Sequence, residues 1–432
     1  MKFYLETTLT VCPPTVENQL EVIENGNFRH LLPKKVLCVW NYLEWGGAQV
    51  YFLALMKEAK KHCEVRAVLP EGSHEQLLKF LKDSDVPFEF VASHTDAKPA
   101  ATVRRKLERH FNKLRSEYVY CRYLKKFDLK ECAVHVEFAP WQSFAALFWL
   151  CTKTKVFTTV HNSVSPQQKW RRWIWKFKFG VLSRFKNFHI FTANEDAKKC
   201  LREFVSPDFY ERIKVTYASI NPPELLNARK AELDKQSLCR KFNIPADKFL
   251  VLCVGQFIDR KGRWIFLEAA RELLKDNKDV VFVWISNSKP PEEDLLKAKS
   301  FGLGENFVLI TSDQVGKERG DLFNLMRLAD VFALPSFVEG LPISLLEAMA
   351  LGAAVVSTNI NGIPEAVKHL ETGYLIEPND VRALVEAIRM LKTDEKLREK
   401  LARVGSEFVL KNFDERIAAQ TAWQSYSESF AE

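Results

Sequence analysis

From residue 35 onward the chain falls into short, uninterrupted apolar runs separated by longer stretches of mixed polarity. The runs at 36–40, 64–69, 88–91, 133–138, 156–161, 188–193 and 214–219 are four to six residues long. A strand buried on both faces reads as continuously apolar, whereas one buried on a single face alternates. Helix-length stretches separate most of the runs, and strands alternating with helices predict a parallel sheet covered on both sides. Asn221-Pro222-Pro223 breaks the pattern, and a polar, helix-prone segment follows to about Lys241. The alternation then restarts with runs at 249–254, 280–285, 307–310, 331–334, 354–357 and 374–376. The pattern predicts an α/β protein of two doubly wound, Rossmann-like domains facing a cleft. Residues 1–33 show no period and are read as an N-terminal extension. Residues 34–222 form the first domain and 223–412 the second, and 413–432 form a helix packing back toward the first. In such sheets ligands bind beyond the carboxyl ends of the strands, so chemistry is expected in the loops there.

Composition narrows the class. At 432 residues the chain exceeds one ordinary core, and 47% hydrophobic with 27% charged residues excludes a disordered protein. The nine cysteines are scattered and none forms a CxxC pair. Reduced thiols fit this better than a disulfide framework or a zinc site, so no metal is expected. An acid at Glu6 interrupts what a signal peptide would need, and the apolar segment 144–151 is under half of a membrane span of about 20 residues. The expected location is cytoplasmic. Charge is unevenly spread: residues 1–235 carry 38 Lys+Arg against 26 Asp+Glu, and the remainder 25 against 29.

Four loops carry candidate chemistry. After the run 331–334 comes Ser336-Phe337-Val338-Glu339-Gly340-Leu341-Pro342-Ile343-Ser344-Leu345-Leu346-Glu347. Pro342 suits a first helical turn, Gly340 permits close approach of a ligand, and helix-start amides suit a phosphate or sugar oxygen. Glu339 and Glu347 are candidate acceptors for hydroxyl groups, or simply solvated acids on a capped helix. After 249–254, Gly255-Gln256-Phe257-Ile258-Asp259-Arg260-Lys261-Gly262 brings cations and amides toward a diphosphate, unless it is a plain basic loop. Gly46 and Gly47 open a helix after the first strand, as a ligand loop or any tight turn would. His161 stands at the carboxyl end of its strand, where active groups and structural histidines both occur.

In this order, these four clusters resemble the retaining GT-B glycosyltransferases of family 4, over about residues 35 to 430. The most specific element is Glu339-x7-Glu347 with its Glu-Gly-Leu-Pro core, followed by Gly362-Ile363-Pro364-Glu365 and Gly373-Tyr374-Leu375-Ile376. The resemblance implies transfer of a sugar from a nucleotide-sugar donor to a glycan or lipid-linked acceptor, with retention and without metal or other cofactor. It assigns Glu347 to the nucleotide ribose, and Glu339, Gly340 and Leu341 to the transferred sugar and phosphates. Lys261 matches the diphosphate lysine, Gly46 and Gly47 the glycine loop, and His161 the histidine beside the transferred sugar. One departure stands out. The family usually has Arg where this chain has Gln256, which offers no cationic fork to phosphate. A non-catalytic carbohydrate- or membrane-binding scaffold on the same fold is the alternative.

The stretch 98–199 holds 22 basic against 7 acidic residues, and within it Lys169-Trp170-Arg171-Arg172-Trp173-Ile174-Trp175-Lys176-Phe177-Lys178-Phe179 interleaves cations with aromatics. Such a helix packs its rings on the sheet, or rests on an anionic membrane on the inner face of the cell, or, as the third reading, binds nucleic acid.

Overall fold

The computed structural model describes residues 32–43, 46–93, 103–163, 168–316 and 318–431. The extension read at 1–33 therefore lies almost wholly outside the described residues.

The first domain is built on seven parallel strands: β1 (Lys35–Val39), β2 (Glu64–Pro70), β3 (Phe88–Val91), β4 (Cys132–Val136), β5 (Lys155–Val160), β6 (Phe188–Thr192) and β7 (Lys214–Val215). Their spatial order is β3-β2-β1-β4-β5-β6-β7. The second domain has six: β8 (Phe249–Val254), β9 (Val280–Ser286), β10 (Phe307–Thr311), β11 (Val331–Leu334), β12 (Ala354–Thr358) and β13 (Tyr374–Ile376), in the order β10-β9-β8-β11-β12-β13. Every pairing is parallel. The inner strands are buried along almost their whole length, which is why they read as continuous apolar runs.

One strand falls short of the sequence pattern. The run 214–219 yields a strand of only two residues, β7, at the sheet edge, with Phe191↔Lys214 and Thr192↔Val215 in register, although the Thr216 and Ala218 amides still donate to the Thr192 and Ala193 carbonyls at 2.9 Å each. Beyond it the chain leaves the sheet and Ile220 bridges Asp414.

Two helical layers sandwich the first sheet. Helices Gly47–Ala59, Glu75–Asp83 and Glu415–Ala431 share one core cluster, with Ala419, Ala422 and Tyr426 packed beside Phe52, Met56 and Phe157. Helices Val103–Leu124, Phe144–Cys151, Lys169–Leu182 and Glu195–Leu201 share the other. The C-terminal helix thus returns to the first domain after the second is complete. The chain crosses between domains twice, side by side: the Ile220 amide donates to the Phe413 carbonyl at 2.9 Å and the Glu415 amide to the Ile220 carbonyl at 2.8 Å. Tyr426 anchors the returning helix through its hydroxyl, 2.6 Å from Nδ1 of the fully buried His135.

In each sheet the strand order reverses at one place, between β1 and β4 and between β8 and β11. Loops leaving such neighbours diverge to opposite faces and open a crevice at the carboxyl ends. The candidate residues follow β1, β8 and β11, with His161 following β5 beside β4.

Candidate functional site

The two loops of the second domain lock together through a glycine. Gly262 has φ +74°, in the left-handed region, and a Cβ there would lie 1.9 Å from the Pro335 carbonyl oxygen. Only glycine fits so close a backbone approach. The Phe337 amide then donates to the Arg260 carbonyl at 2.8 Å, holding residues 255–262 against 335–340. As a result Lys261 Nζ meets Glu339 Oε1 at 2.6 Å, and the Ser336 hydroxyl donates to the same oxygen at 2.8 Å. The lysine stem lies over Gly255, whose absent side chain leaves it room. Glu339 is 4% exposed and Lys261 9%. A buried carboxylate needs such partners, because an unpaired buried charge costs about 3–5 kcal/mol.

Gln256 is half-buried beside them. Of the two nearby arginines, Arg260 reaches the site. Its Nη1 donates to the Val338 carbonyl at 3.1 Å and lies 3.6 Å from Glu339 Oε2. Arg263 turns away, donating to Asp259 at 2.9 Å and to the Phe257 carbonyl at 2.8 Å, and pairing with Asp294. Arg260, four residues on from Gln256, is thus the arginine of this loop that lies beside Glu339.

Glu347 sits on helix Ile343–Leu351 and pairs with Arg319 and not with Lys261. Burial pushes its carboxyl up from the ordinary glutamate range, and the Arg319 guanidinium opposes that rise. The sequence puts Pro342 in the first turn of this helix; the structure puts it one residue earlier, with ψ 119°. Leu341 is buried beneath the loop. The alternative reading of Glu339 and Glu347 as solvated acids on a capped helix is corrected: both are buried, each against its own cation.

Across the cleft, the Gly46 amide donates to Gln49 Oε1 at 2.8 Å, and a Cβ on Gly47 would touch the Ile343 side chain at 3.5 Å. The glycine loop therefore faces the start of the Glu347 helix. His161 Nε2 lies 3.1 Å from Glu137 Oε1, and the Tyr42 hydroxyl donates to the other oxygen at 3.3 Å. The Tyr51 ring meets the imidazole edge-on at 5.3 Å between centroids. Gly340 closes the gap between domains. A Cβ there would lie 2.2 Å from the His161 carbonyl oxygen and 2.9 Å from Asn162 Oδ1.

A second bridge reinforces this approach. Glu365 accepts the backbone amides of Glu195 and Asp196 at 2.9 Å each, where the first-domain helix Glu195–Leu201 begins. Burial raises the Glu365 carboxyl, its two amide donors oppose the rise, and the neighbouring Glu195 and Asp196 charges add to it. Asn194, which caps that helix, donates from Nδ2 to the His161 carbonyl at 2.9 Å. Asn361 accepts from the Glu339 amide at 3.3 Å and donates to Asp196 at 3.3 Å.

The structure thus gathers Lys261, Glu339, Gly340 and the His161 backbone at one interface and sets Gly47 beside Ile343. Glu347 occupies a separate ion pair on the adjoining helix. A hollow of about 730 Å³, open to solvent, is lined by Lys60, Glu64, Lys82 and Phe88 at the amino ends of the strands, away from these residues. The sequence reading missed Glu137 and Arg319. Glu137 had a usable signal: like His161 it directly follows a strand, and β4 lies beside β5.

Comparison with known proteins bears on the family and the fold. Residues 234–408 match the family Glycosyl transferases group 1. A Campylobacter jejuni N,N'-diacetylbacillosaminyl-diphospho-undecaprenol alpha-1,3-N-acetylgalactosaminyltransferase is 32% identical over 196 residues, covering 45% of this chain and 49% of that protein. An Escherichia coli UDP-Gal:alpha-D-GlcNAc-diphosphoundecaprenol alpha-1,3-galactosyltransferase is 30% identical over 208 residues, covering 47% and 50%. The matched stretch spans about half the length of these relatives. Among solved structures, a glycosyltransferase from Rickettsia africae superposes with a TM-score of 0.72 at 19% identity, over 91% of this chain and 98% of the other. Anabaena HepE in complex with UDP-glucose gives 0.71 at 16% identity, over 91% and 99%. At these identities the likeness concerns the fold, which is GT-B.

Proposed function

We propose, for a chain whose residues 234–408 belong to the glycosyl transferases group 1 and whose fold is GT-B, that it transfers a sugar from a nucleotide-diphosphate donor to a glycan or lipid-linked acceptor. The observation that carries this reading is the contact of Lys261 with Glu339 directly against the Gly340–His161 interface. What supports the reading is that the buried Lys261–Glu339 pair of one domain lies next to the loop that meets the His161 backbone carbonyl of the other.

The donor diphosphate lies against Lys261 and Arg260, which take up the charge that develops as the glycosyl–phosphate bond breaks. Glu339 and the backbone of Gly340 and Leu341 hold the sugar hydroxyls, and Glu347, steadied by Arg319, takes the ribose. Glu137 orients the His161 ring beside the transferred sugar. Closure of the two domains aligns acceptor and donor and excludes water. The anomeric outcome proposed is retention, and the chain's own cations and amides serve without a metal. The acceptor class follows the relatives, two of which carry diphospho-undecaprenol substrates in their names. The described cysteines are free thiols, which suits work on the cytoplasmic face of a membrane.

A thermal-shift screen against nucleotide sugars tests donor binding, and proton NMR of the product reads the anomeric configuration. Stabilisation by none of them, or a product of inverted configuration, removes the corresponding part of the proposal.

A further inference from the structure

The outer face of one helical layer of the first domain is neither core nor cleft. Helix Val103–Leu124 exposes Leu107, Phe111, Leu114 and Tyr118, spaced so that they form one stripe, while Tyr120 and Leu124 face the sheet. Helix Lys169–Leu182 divides its aromatics in the same way. Phe179 and Leu182 are buried and Trp175 stacks on Trp141, whereas Trp170, Trp173 and Phe177 point outward. Packing on the sheet therefore accounts for only half of that helix. Phe111 is 67% exposed and Trp173 70%.

The two stripes belong to one surface. Helix Phe144–Cys151 lies between the two helices and contacts both. It adds the exposed Phe148, and its Phe144 ring stands 6.4 Å from Phe177 and 6.0 Å from Phe148. Trp173 stacks against Phe177 with the planes 13° apart. The two long helices together hold 12 Lys and Arg against 2 acids, one of which, Glu117, is buried. Exposed cations flank the stripes at Arg105, Arg109 and Arg115 and at Lys169, Arg171 and Lys176. Arg104 and Arg172 are partly neutralised by Glu108 and Glu203.

We infer that this face is a docking surface for an anionic phospholipid bilayer, with the two helices lying in the plane of the headgroups. An outward apolar stripe bordered by cations is the composition that binds such an interface, the rings entering the acyl boundary and the cations meeting phosphates. A second copy of the chain does not suit the face, since it would set one cationic surface against another. Single-stranded nucleic acid would use the rings and the cations but not Leu107 and Leu114. Among the described residues no helix is long and apolar enough to cross a membrane, so contact is from one side. Both helices follow parallel strands and so start at the carboxyl ends of the sheet. Leu107, Trp170 and Trp173, near the starts of these helices, therefore lie toward the end of the sheet where the cleft opens. The inference deepens the proposed use of a lipid-linked acceptor and takes its purpose from that reading: docking would hold the cleft at the depth of a lipid diphosphate.

The test is co-sedimentation of the full chain with vesicles of phosphatidylglycerol and phosphatidylcholine, against vesicles of phosphatidylcholine alone. The expected result is binding to the anionic vesicles that weakens with salt. Two variants, Trp170→Ser/Trp173→Ser/Phe177→Ser and Phe111→Ser/Tyr118→Ser, each lower the bound fraction by about tenfold or more. Their melting temperature and nucleotide-sugar stabilisation stay at wild-type values, since these side chains are exposed. Absence of wild-type binding at low salt, equal binding by both variants, or capture of poly-U RNA in place of vesicles overturns the inference. Vesicle binding without any nucleotide-sugar stabilisation leaves the docking surface standing and removes the transferase reading instead.

Discussion

Replacing Gly340 with alanine tests whether the close approach of the domains matters for transfer. The added Cβ would sit 2.2 Å from the His161 carbonyl oxygen. A carbon and an oxygen tolerate little under about 3.2 Å, so the interface must open by roughly 1 Å at this point. A displacement of that size between reacting groups costs about 100-fold in rate, or about 2.7 kcal/mol of barrier. The Gly340 amide survives in the variant, so donor affinity should change only a few-fold. Gly180→Ala is the control, since a Cβ at Gly180 meets nothing within 4 Å. The assay is steady-state transfer with kcat and donor KM measured separately. Wild-type kcat in Gly340→Ala would show that the Gly340–His161 contact plays no part in the reaction. Loss of donor binding with kcat preserved would move Gly340 from domain closure to donor recognition alone.

Three further outcomes are expected. Lys261→Ala leaves Glu339 with Ser336 and the more distant Arg260, so it should lower donor affinity by about tenfold or more and stability by about 3 kcal/mol; paired titration and chemical denaturation check both, and Lys261→Ala/Glu339→Gln should recover part of the stability. Glu365→Ala removes the acceptor of two amides across the domain boundary, and should reduce kcat by about tenfold with donor KM little changed; a loss confined to KM would contradict the positioning role. Burial holds the His135 imidazole down at about 3, against about 6.5 when unfolded. The unfolded chain therefore binds the extra proton between those values. Stability should fall as pH drops from about 6.5 toward about 3, by up to about 1.4 kcal/mol per pH unit from this group. Urea melts of the wild type and His135→Gln across that range check it, the variant having the shallower slope.

Much of this was legible along the chain, for identifiable reasons. Interior strands of a parallel sheet are apolar on both faces, so β4, β8 and β9 announce themselves as runs, and loops after such strands are few enough to search. Gly340 could be read as a site of close approach, although only the fold says that His161 is what approaches it, and the fit of Gly262 against Pro335 was not read at all. Partners across the fold were not legible. Glu137 and His161 are 24 residues apart and meet because β4 lies beside β5. Arg319 reaches Glu347 from a helix that carries no motif, and Glu365 finds its amides in the other domain. The edge strand β7 was over-read, because residues 216–219 lead into the domain crossing and extend no strand ladder beyond Val215. The aromatic helices were half-legible. Spacing gives each a stripe, but only the packing of Phe179 and Tyr120 shows which stripe faces in.

The central claim is that the loops after β8 and β11 bind a nucleotide-sugar diphosphate. Titration of the purified chain with a panel of nucleotide sugars, with free nucleoside diphosphate as competitor, tests it directly. The account predicts one saturable site per chain, worth about 2.7 kcal/mol of added stability at a hundredfold excess over Kd, and weakened about tenfold or more in Lys261→Ala. Binding of no nucleotide sugar or nucleoside diphosphate, or equal binding by Lys261→Ala, would contradict it.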